Sequence, residues 1–389
     1  MRKTFAFVVL AAVVWLPSLQ YFYQPDLAGM RALQEPKLEA ALAHASSPER
    51  QAMRAVNPEW DFMNRTFSVL AFANLALGQA QDRPRDERYL LAIDAIIEDT
   101  LATESADEMT FLMSYARSGP FVDREARSLF LDGEIALMLA ARQLVQRDPA
   151  KTALLRERTA RIARTMARSP SFSGESYPNE CWTFCNTTAL AALAASDRVL
   201  GEDHGELSRA WLTYAKAHLV DAKTGMLVSS YTYDGHVLDG PEGSSIWMNA
   251  HNLRLIDDAF AKDQYTRARR ELGRTVLGFS YAREWPEGAN ARPDVDSGPI
   301  VPFFEASAGS SGMAFLGASA FGDGAYLNGL VTSLNFAAFP VTKGKTLQYQ
   351  ASNEVGDAVL LYALSFGPLH ARIRETPGRT ALRTEGEGQ

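Results

Sequence analysis

One pattern constrains this chain more than any other. Apolar helical segments alternate with amphipathic ones along most of its length. Trp60–Leu77 places Phe62, Met63, Phe67, Leu70, Phe72, Leu75 and Leu77 near a 3.6-residue repeat. Cys181–Leu200 is nearly all small or apolar and stops at Gly201, a residue suited to a helix C-cap. Ala150–Met166, between them, is basic and amphipathic, as an outer helix with one wet face should be. Helical patterns also cover residues 37–44, 87–101, 123–145, 206–219, 244–260, 264–277, 307–320, 325–336 and 353–366. About twelve helices alternating in this way predict an all-α (α/α)₆ toroid: six buried inner helices and six outer ones, joined as antiparallel hairpins. Met226–Tyr233 and Thr346–Tyr349 alternate instead and predict short β-hairpins. No repeat of fixed period supports a solenoid.

The ends differ from this body. Arg2 and Lys3 precede an apolar run from Phe5 to Leu19, followed by Tyr21, Phe22 and Tyr23. That layout predicts a signal anchor or signal peptide over residues 1–24, with the rest periplasmic or otherwise outside the cytoplasm, tethered by residues 5–23. Residues 25–36 read as a linker, 37–370 as the toroid and 371–389 as a polar tail. A net charge of -7 without a basic block argues against nucleic acid as a partner. Two cysteines exclude a disulfide scaffold and a four-cysteine zinc site. The partners expected are a small-molecule substrate, the membrane through the N-terminal segment, and a second copy of the chain. Neither a metal nor a cofactor is expected: GxGxxG, P-loop, HExxH and GxSxG motifs are all missing.

In a toroid the pocket is the mouth of the ring, so polar and aromatic residues at the heads of inner helices are the candidates. The richest stretch is Tyr177-Pro178-Asn179-Glu180-Cys181-Trp182-Thr183-Phe184-Cys185-Asn186. Cys181 and Cys185, four apart, would share a helix face. A thiol there either relays a proton or is simply buried. Phe130-Leu131-Asp132-Gly133-Glu134 sets two acids inside an apolar helix, which is costly unless they are paired or functional. Glu134 in an apolar wall would have a raised pKa and serve as an acid; the alternative is a salt bridge to Arg124 or Arg127. Asp61 heads another inner helix. Trp247, Asn249 and His251 cluster in the 244–260 segment. Asp296 sits in a tight turn and Tyr349 precedes the last helix.

The stretch from Ser176 to Asn186 resembles linalool dehydratase/isomerase, a family of secreted bacterial (α/α)₆ enzymes. The family segment Cys-Glu-Pro-x-x-x-Phe-x-x-Cys-Asn has as its counterpart Ser176-Tyr177-Pro178, then Trp182, then Cys185-Asn186. Ser196-Asp197-Arg198-Val199-Leu200-Gly201, Arg209-Ala210-Trp211-Leu212 and Leu219-Val220-Asp221 with Gly225 agree as well. The resemblance extends over about Trp60–Phe366. It implies cofactor-free dehydration, hydration and isomerisation of monoterpene alcohols. Cys185 matches the second site cysteine and Trp182 an aromatic wall. Ser176 stands where the first cysteine would be, and Glu134 where the family has a histidine. An aromatic pair falls near Trp247 and His251. The family's Asp and Tyr acid/base pair has no aligned counterpart.

The leading expectation is therefore an acid/base enzyme acting on a small apolar alcohol held between Trp182, Trp247 and Phe130. Glu134 or Asp61 would be the acid, with His251 or Cys185 as base or relay. Ser176, Tyr177, Glu180, Asn249, Asp296 and Tyr349 would contact substrate. A carbohydrate-active toroid using Glu134 and Asp296 is the first rival. A membrane-tethered module without catalysis, in which these residues do not converge, is the second.

Overall fold

The computed structural model describes residues 2–23, 25–43, 47–79, 87–106, 110–117, 119–289 and 298–375. Its helices are α1 (Arg2–Trp15), α2 (Leu27–Ala43), α3 (Pro48–Val56), α4 (Pro58–Leu77), α5 (Glu87–Ala106), α6 (Leu129–Val145), α7 (Pro149–Arg168) and α8 (Thr183–Leu200). They continue with α9 (Gly205–His218), α10 (Gly243–Leu253), α11 (Asp258–Glu271), α12 (Ala308–Ala320), α13 (Gly324–Ala337), α14 (Glu354–Ser365) and α15 (Pro368–Arg374).

Local chemistry sets the ends. Pro at the first helical position starts α3, α4 and α7, where Ser47, Asn57 and Asp148 accept backbone N–H groups as N-caps. Gly201 ends α8 in the left-handed region. Two expected helices are corrected by caps that the periodicity hides. The 244–260 segment breaks because Asp257 accepts the Phe260 N–H and starts α11. The 123–145 segment begins only at Leu129, behind the Ser128 cap. The expected 264–277 helix ends at Glu271 and gives way to a strand.

The apolar helices form the inside. Each residue of α6 is buried, whereas α7 buries one stripe that includes Leu155, Ile162 and Met166. In the ring, α4 packs on α6, α6 on α8, α8 on α10, α10 on α12 and α12 on α14, and α14 returns to α4. Helices α5, α7, α11 and α13 lie against it from outside. Helix α2 takes the outer place against α14 and touches α5, so residues 27–36, expected as linker, are helix. Helices α6 and α8 approach closely. A Cβ on Gly133 would lie 3.3 Å from Cα, Cβ and N of Ala189.

Short antiparallel strands decorate the end where inner helices begin. β1 (Cys181–Trp182) pairs with β2 (Ser230–Tyr231), which pairs with β3 (Val237–Asp239). β4 (Gly273–Val276) and β5 (Phe279–Ala282) form a hairpin, as do β6 (Ile300–Val301) with β7 (Ala306–Ser307) and β8 (Pro340–Lys343) with β9 (Thr346–Tyr349). β1 precedes α8, β3 precedes α10, β7 precedes α12 and β9 precedes α14.

The N-terminus departs from expectation. At 14 residues, α1 spans about 21 Å, short of the roughly 30 Å of a bilayer core. It ends before Pro17, which disfavours helical backbone in its predecessor. Among the described residues no helix is long and apolar enough to cross a membrane.

Because a side chain at residue 133 would meet backbone, Gly133→Val is expected to cost about 1–3 kcal/mol of stability. Urea denaturation measures this, and a loss below about 0.5 kcal/mol would contradict the close α6–α8 contact.

Candidate active site

The mouth of the ring holds a mostly apolar cavity of about 800 Å³. First turns of the inner helices supply much of its wall: Glu59, Trp60 and Met63 from α4, Phe130 from α6, Phe184 and Cys185 from α8, and Ser244 and Ser245 from α10. Gly312, Met313 and Phe315 of α12 and Val355, Asp357 and Val359 of α14 continue it, and Tyr281 and Tyr349 come from the hairpins. Helix N-termini facing one space favour negative charge there.

The segment expected to be richest is built to face this cavity. Tyr177-Pro178-Asn179-Glu180 is a tight turn closed by the Glu180 N–H donating to the Tyr177 carbonyl at 2.9 Å. Pro178 suits its first corner and Asn179, at φ 56°, its second. Buried Glu175 locks the turn by accepting N–H groups of Asn179 (2.6 Å), Val122 (2.9 Å) and Asp123 (3.0 Å). Asn186 fastens the head of α8: its amide bonds both the N–H and the carbonyl of Gly174 and the carbonyl of Trp182. Tyr177 and Trp182 thereby line the cavity. Cys181 belongs to β1, not to the helix, so the two free thiols do not share a helix face.

The polar centre combines one expected residue with one that was missed. The Tyr177 hydroxyl donates a short hydrogen bond to Glu59, which also accepts the Met113 N–H at 3.4 Å. Glu59 is 8% exposed and lines the cavity. Burial pushes the Cys185 thiol well above its ordinary range; nearby Ser176 opposes this, while Glu134, Glu59 and Glu180 add to it. Cys185 is thus a neutral thiol at physiological pH. Glu134 lies one helical turn below Phe130 on the same face of α6 and is 2% exposed. Burial pushes its carboxyl up to about 7, with Thr66 alongside opposing the shift. Among the described residues no Lys or Arg forms an ion pair with it.

Other expected residues have different tasks. Asp61 is buried and salt-bridged to Arg65 (3.3 Å), Arg50 (3.8 Å) and Arg54 (3.8 Å), away from the cavity. It is a structural anchor, not an acid. His251 sits in the last turn of α10, roughly 10 Å along the axis from Ser244. Burial pushes it down to about 4, and its Nε2 and Tyr362 hydroxyl lie 3.0 Å apart. It is a neutral core histidine. Trp247 is fully buried, with its indole N–H donating to Ser310 at 3.0 Å, and Asn249 bonds Thr183 and Thr187. Neither lines the cavity. Ser176 is buried beside Cys185, and Glu180 accepts the Trp182 indole N–H, so both support wall residues. Asp132 pairs with Arg127, Arg158 and Arg161. Asp296 lies outside the described residues.

Glu59 stands two residues before Asp61 in the first turn of α4. A signal separates it from Asp61. Asp61 has Arg65 at i+4, the spacing of a helix ion pair, whereas Glu59 leads to Met63 and Thr66. Among the described residues no group of three or more His, Cys, Asp or Glu side chains is placed to hold a metal ion.

The Glu134 shift carries a stability consequence of defined sign. Its folded-state pKa of about 7 lies above the ordinary value of 4.5, so the folded state binds more protons between those values. Stability therefore falls as pH rises through that window, by up to about 3 kcal/mol. Glu134→Gln is expected to unfold at higher urea concentration than the native chain at pH 8 and at the same concentration near pH 4.5. A midpoint difference that does not change with pH would refute the buried protonated carboxyl.

Two solved structures are similar in shape. The GH76 α-mannanase of Bacteroides thetaiotaomicron aligns at TM-score 0.49 and 11% identity over 80% of this chain and 86% of its own. An inactive variant of the α-1,6-mannanase GH76A of a Salegentibacter species, in complex with α-1,6-mannotetrose, aligns at 0.48 and 13% over 79% and 89%. Likeness at that level does not bear on chemistry. The family model of linalool dehydratase/isomerase matches residues 155–355, just over half of the chain, and takes in α8, the Cys185 wall and the helices from α9 to α13. The chain belongs to the linalool dehydratase/isomerase family.

Proposed function

We propose that this chain is an acid/base enzyme that removes water from, or isomerises, an apolar alcohol held in the ring mouth. One observation carries the reading: a carboxylate bonded to a phenol, and a neutral thiol beside a buried carboxyl, border the same apolar cavity. Glu134 is the proton source. Its proton passes through the Cys185 S–H to the leaving hydroxyl as the C–O bond breaks, releasing water and an allylic cation. Glu59, oriented by Tyr177, takes a proton from the adjacent carbon and the double bond forms. Alcohol is thus converted to alkene and water, and solvent exchange returns the proton from Glu59 to Glu134. Run backwards, the same groups hydrate an alkene, and a second addition at the other allylic carbon isomerises the alcohol. A carboxyl poised near 7 together with a second carboxyl bordering the cavity is the arrangement such chemistry needs. Phe130, Trp182, Phe184 and Met313 keep the cation out of bulk water.

A sugar substrate is less well served. The lining is mostly apolar, and of the carboxylates near it Asp357 is paired with Lys37 and Asp61 with arginines.

The test is turnover of a panel of alkenols, read by gas chromatography–mass spectrometry. Glu59→Gln and Glu134→Gln are each expected to lower kcat by roughly 10²–10⁴, the usual worth of an acid or base. Tyr177→Phe should lower it by roughly tenfold, through orientation alone. In the native chain, kcat should fall as pH rises past about 7, as Glu134 ionises. Full activity in Glu59→Gln would sink the assignment. The basic-then-apolar start of the chain supports an extracytoplasmic setting; an alkaline phosphatase fusion after Pro48 should be active there, and an inactive fusion would remove that setting.

A further inference from the structure

The cavity is larger than a ten-carbon alcohol needs, and it runs towards an open apolar side of the molecule. A cavity of about 150 Å³ holds one benzene, or roughly 25 Å³ per non-hydrogen atom. On that scale 800 Å³ has room for roughly 30 such atoms. From Glu59 and Cys185 the space extends past α12 and α14 to Leu330, Leu334 and Ala337 of α13.

Beyond Ala337 the surface stays apolar. Phe336 and Phe339 are exposed. Phe336 meets Trp15, Phe22 and Phe279 through edge-to-face ring contacts at 6.5, 5.4 and 5.3 Å. Tyr23 continues the patch, its hydroxyl donating to the Leu277 carbonyl at 2.7 Å. The β4–β5 turn presents Leu277, 71% exposed, and the β6–β7 turn presents Phe303, fully exposed. Val301 belongs to both the cavity wall and this surface. A contiguous apolar face of this kind marks an interaction site.

Three features identify what covers it. Helix α1 continues the face with apolar side chains exposed all round, including Phe5, Phe7, Leu10 and Val14. A protein partner covers one side of a helix; hydrocarbon covers every side. At about 21 Å, α1 is too short to span a bilayer, which suits insertion into one leaflet. Lys3 in the first turn of α1, and Lys343 and Lys345 two and four residues after Val341, are exposed in a chain of net charge -7. Exposed lysines around an apolar wedge match anionic headgroups around hydrocarbon.

We propose that this face seats on an anionic lipid surface and that the cavity opens into it beside Val301 and Ala337. The substrate is then an alcohol that partitions into lipid, its hydroxyl at Cys185 and its long apolar tail along α13. The substrate clause rests on the acid/base reading above; the docking does not.

Flotation of the full chain with phosphatidylcholine vesicles, with and without phosphatidylglycerol, tests the docking. The expected result is binding that strengthens with phosphatidylglycerol. The triple variant Leu277→Asp, Phe303→Asp, Phe339→Asp should bind roughly a hundredfold more weakly. Its circular dichroism and Tm should match the native chain, since all three side chains are exposed. Failure to bind either vesicle overturns the proposal. So does native-like binding by the variant, which would leave the N-terminal segment as the sole contact. A variant that loses self-association but binds vesicles as before would show that a second copy covers the face, and overturns it equally. Turnover of a short soluble alkenol without vesicles reads the chemistry separately. It should be unchanged in the variant, and its absence from the native chain would refute the acid/base reading while leaving the docking result intact.

Discussion

The cavity exists because α14 comes back to lie along α4. This closure joins groups far apart in the chain. Asn74 Oδ1 accepts the N–H groups of Gly367 and Leu369 across 293 and 295 residues. Phe67 stacks with Tyr362 at 6.2 Å, Arg50 pairs with Glu354, and Lys37 of α2 pairs with the buried carboxylate of Asp357. Chain entropy opposes such distant contacts, and burial of the inner helices offsets it. Without the closure, Glu59 on α4 would have no opposite wall on α14, and an apolar cavity would become an open groove in water.

Closure also explains the crowd of acids at one end. Every inner helix presents its first turn to the mouth, and carboxylates are favoured at helix N-termini. Most of them are committed to holding the frame. Asp61 gathers three arginines, Glu175 ties down the 122–123 loop and the Tyr177 turn, and Glu284 accepts the Ser307 hydroxyl at 2.7 Å and the Ser244 N–H at 2.9 Å. Glu59 accepts the Tyr177 phenol and the Met113 N–H and stands in the wall of the apolar cavity. What separates Glu59 from these three is not burial, which all four share, but its place in the cavity wall.

That distinction marks how far the sequence could be read. Alternation of apolar and amphipathic segments was enough for the ring and for the rule that sites sit at the heads of inner helices. The rule placed Phe130, Tyr177, Trp182, Cys185 and Tyr349 in the cavity wall. It chose Asp61 over Glu59 because periodicity gives a helix's face only when its true start is known, and the Asn57 cap fixes that start. It placed Trp247 and His251 at the head of a helix that in fact ends at Leu253, so His251 fell at the wrong end of the ring. Contributions from Tyr281, Leu330 and Asp357 depend on hairpins and closure between distant segments, which no local pattern encodes.

Glu134 is the hardest residue to explain as structure. An unpaired carboxyl inside an apolar wall lowers stability as soon as pH allows the unfolded chain to ionise, and an uncharged side chain of the same shape would not. Its neighbour Asp132, two residues earlier on the same helix, is compensated by arginines. Gly133 between them is fully accounted for by the approach of Ala189. The Asp132-Gly133-Glu134 stretch therefore divides into an anchor, a contact and a remainder. The remainder sits one turn beneath the cavity floor, beside a thiol that burial keeps protonated. An acid kept neutral near pH 7 is of little use to a folded core but is what a leaving hydroxyl requires.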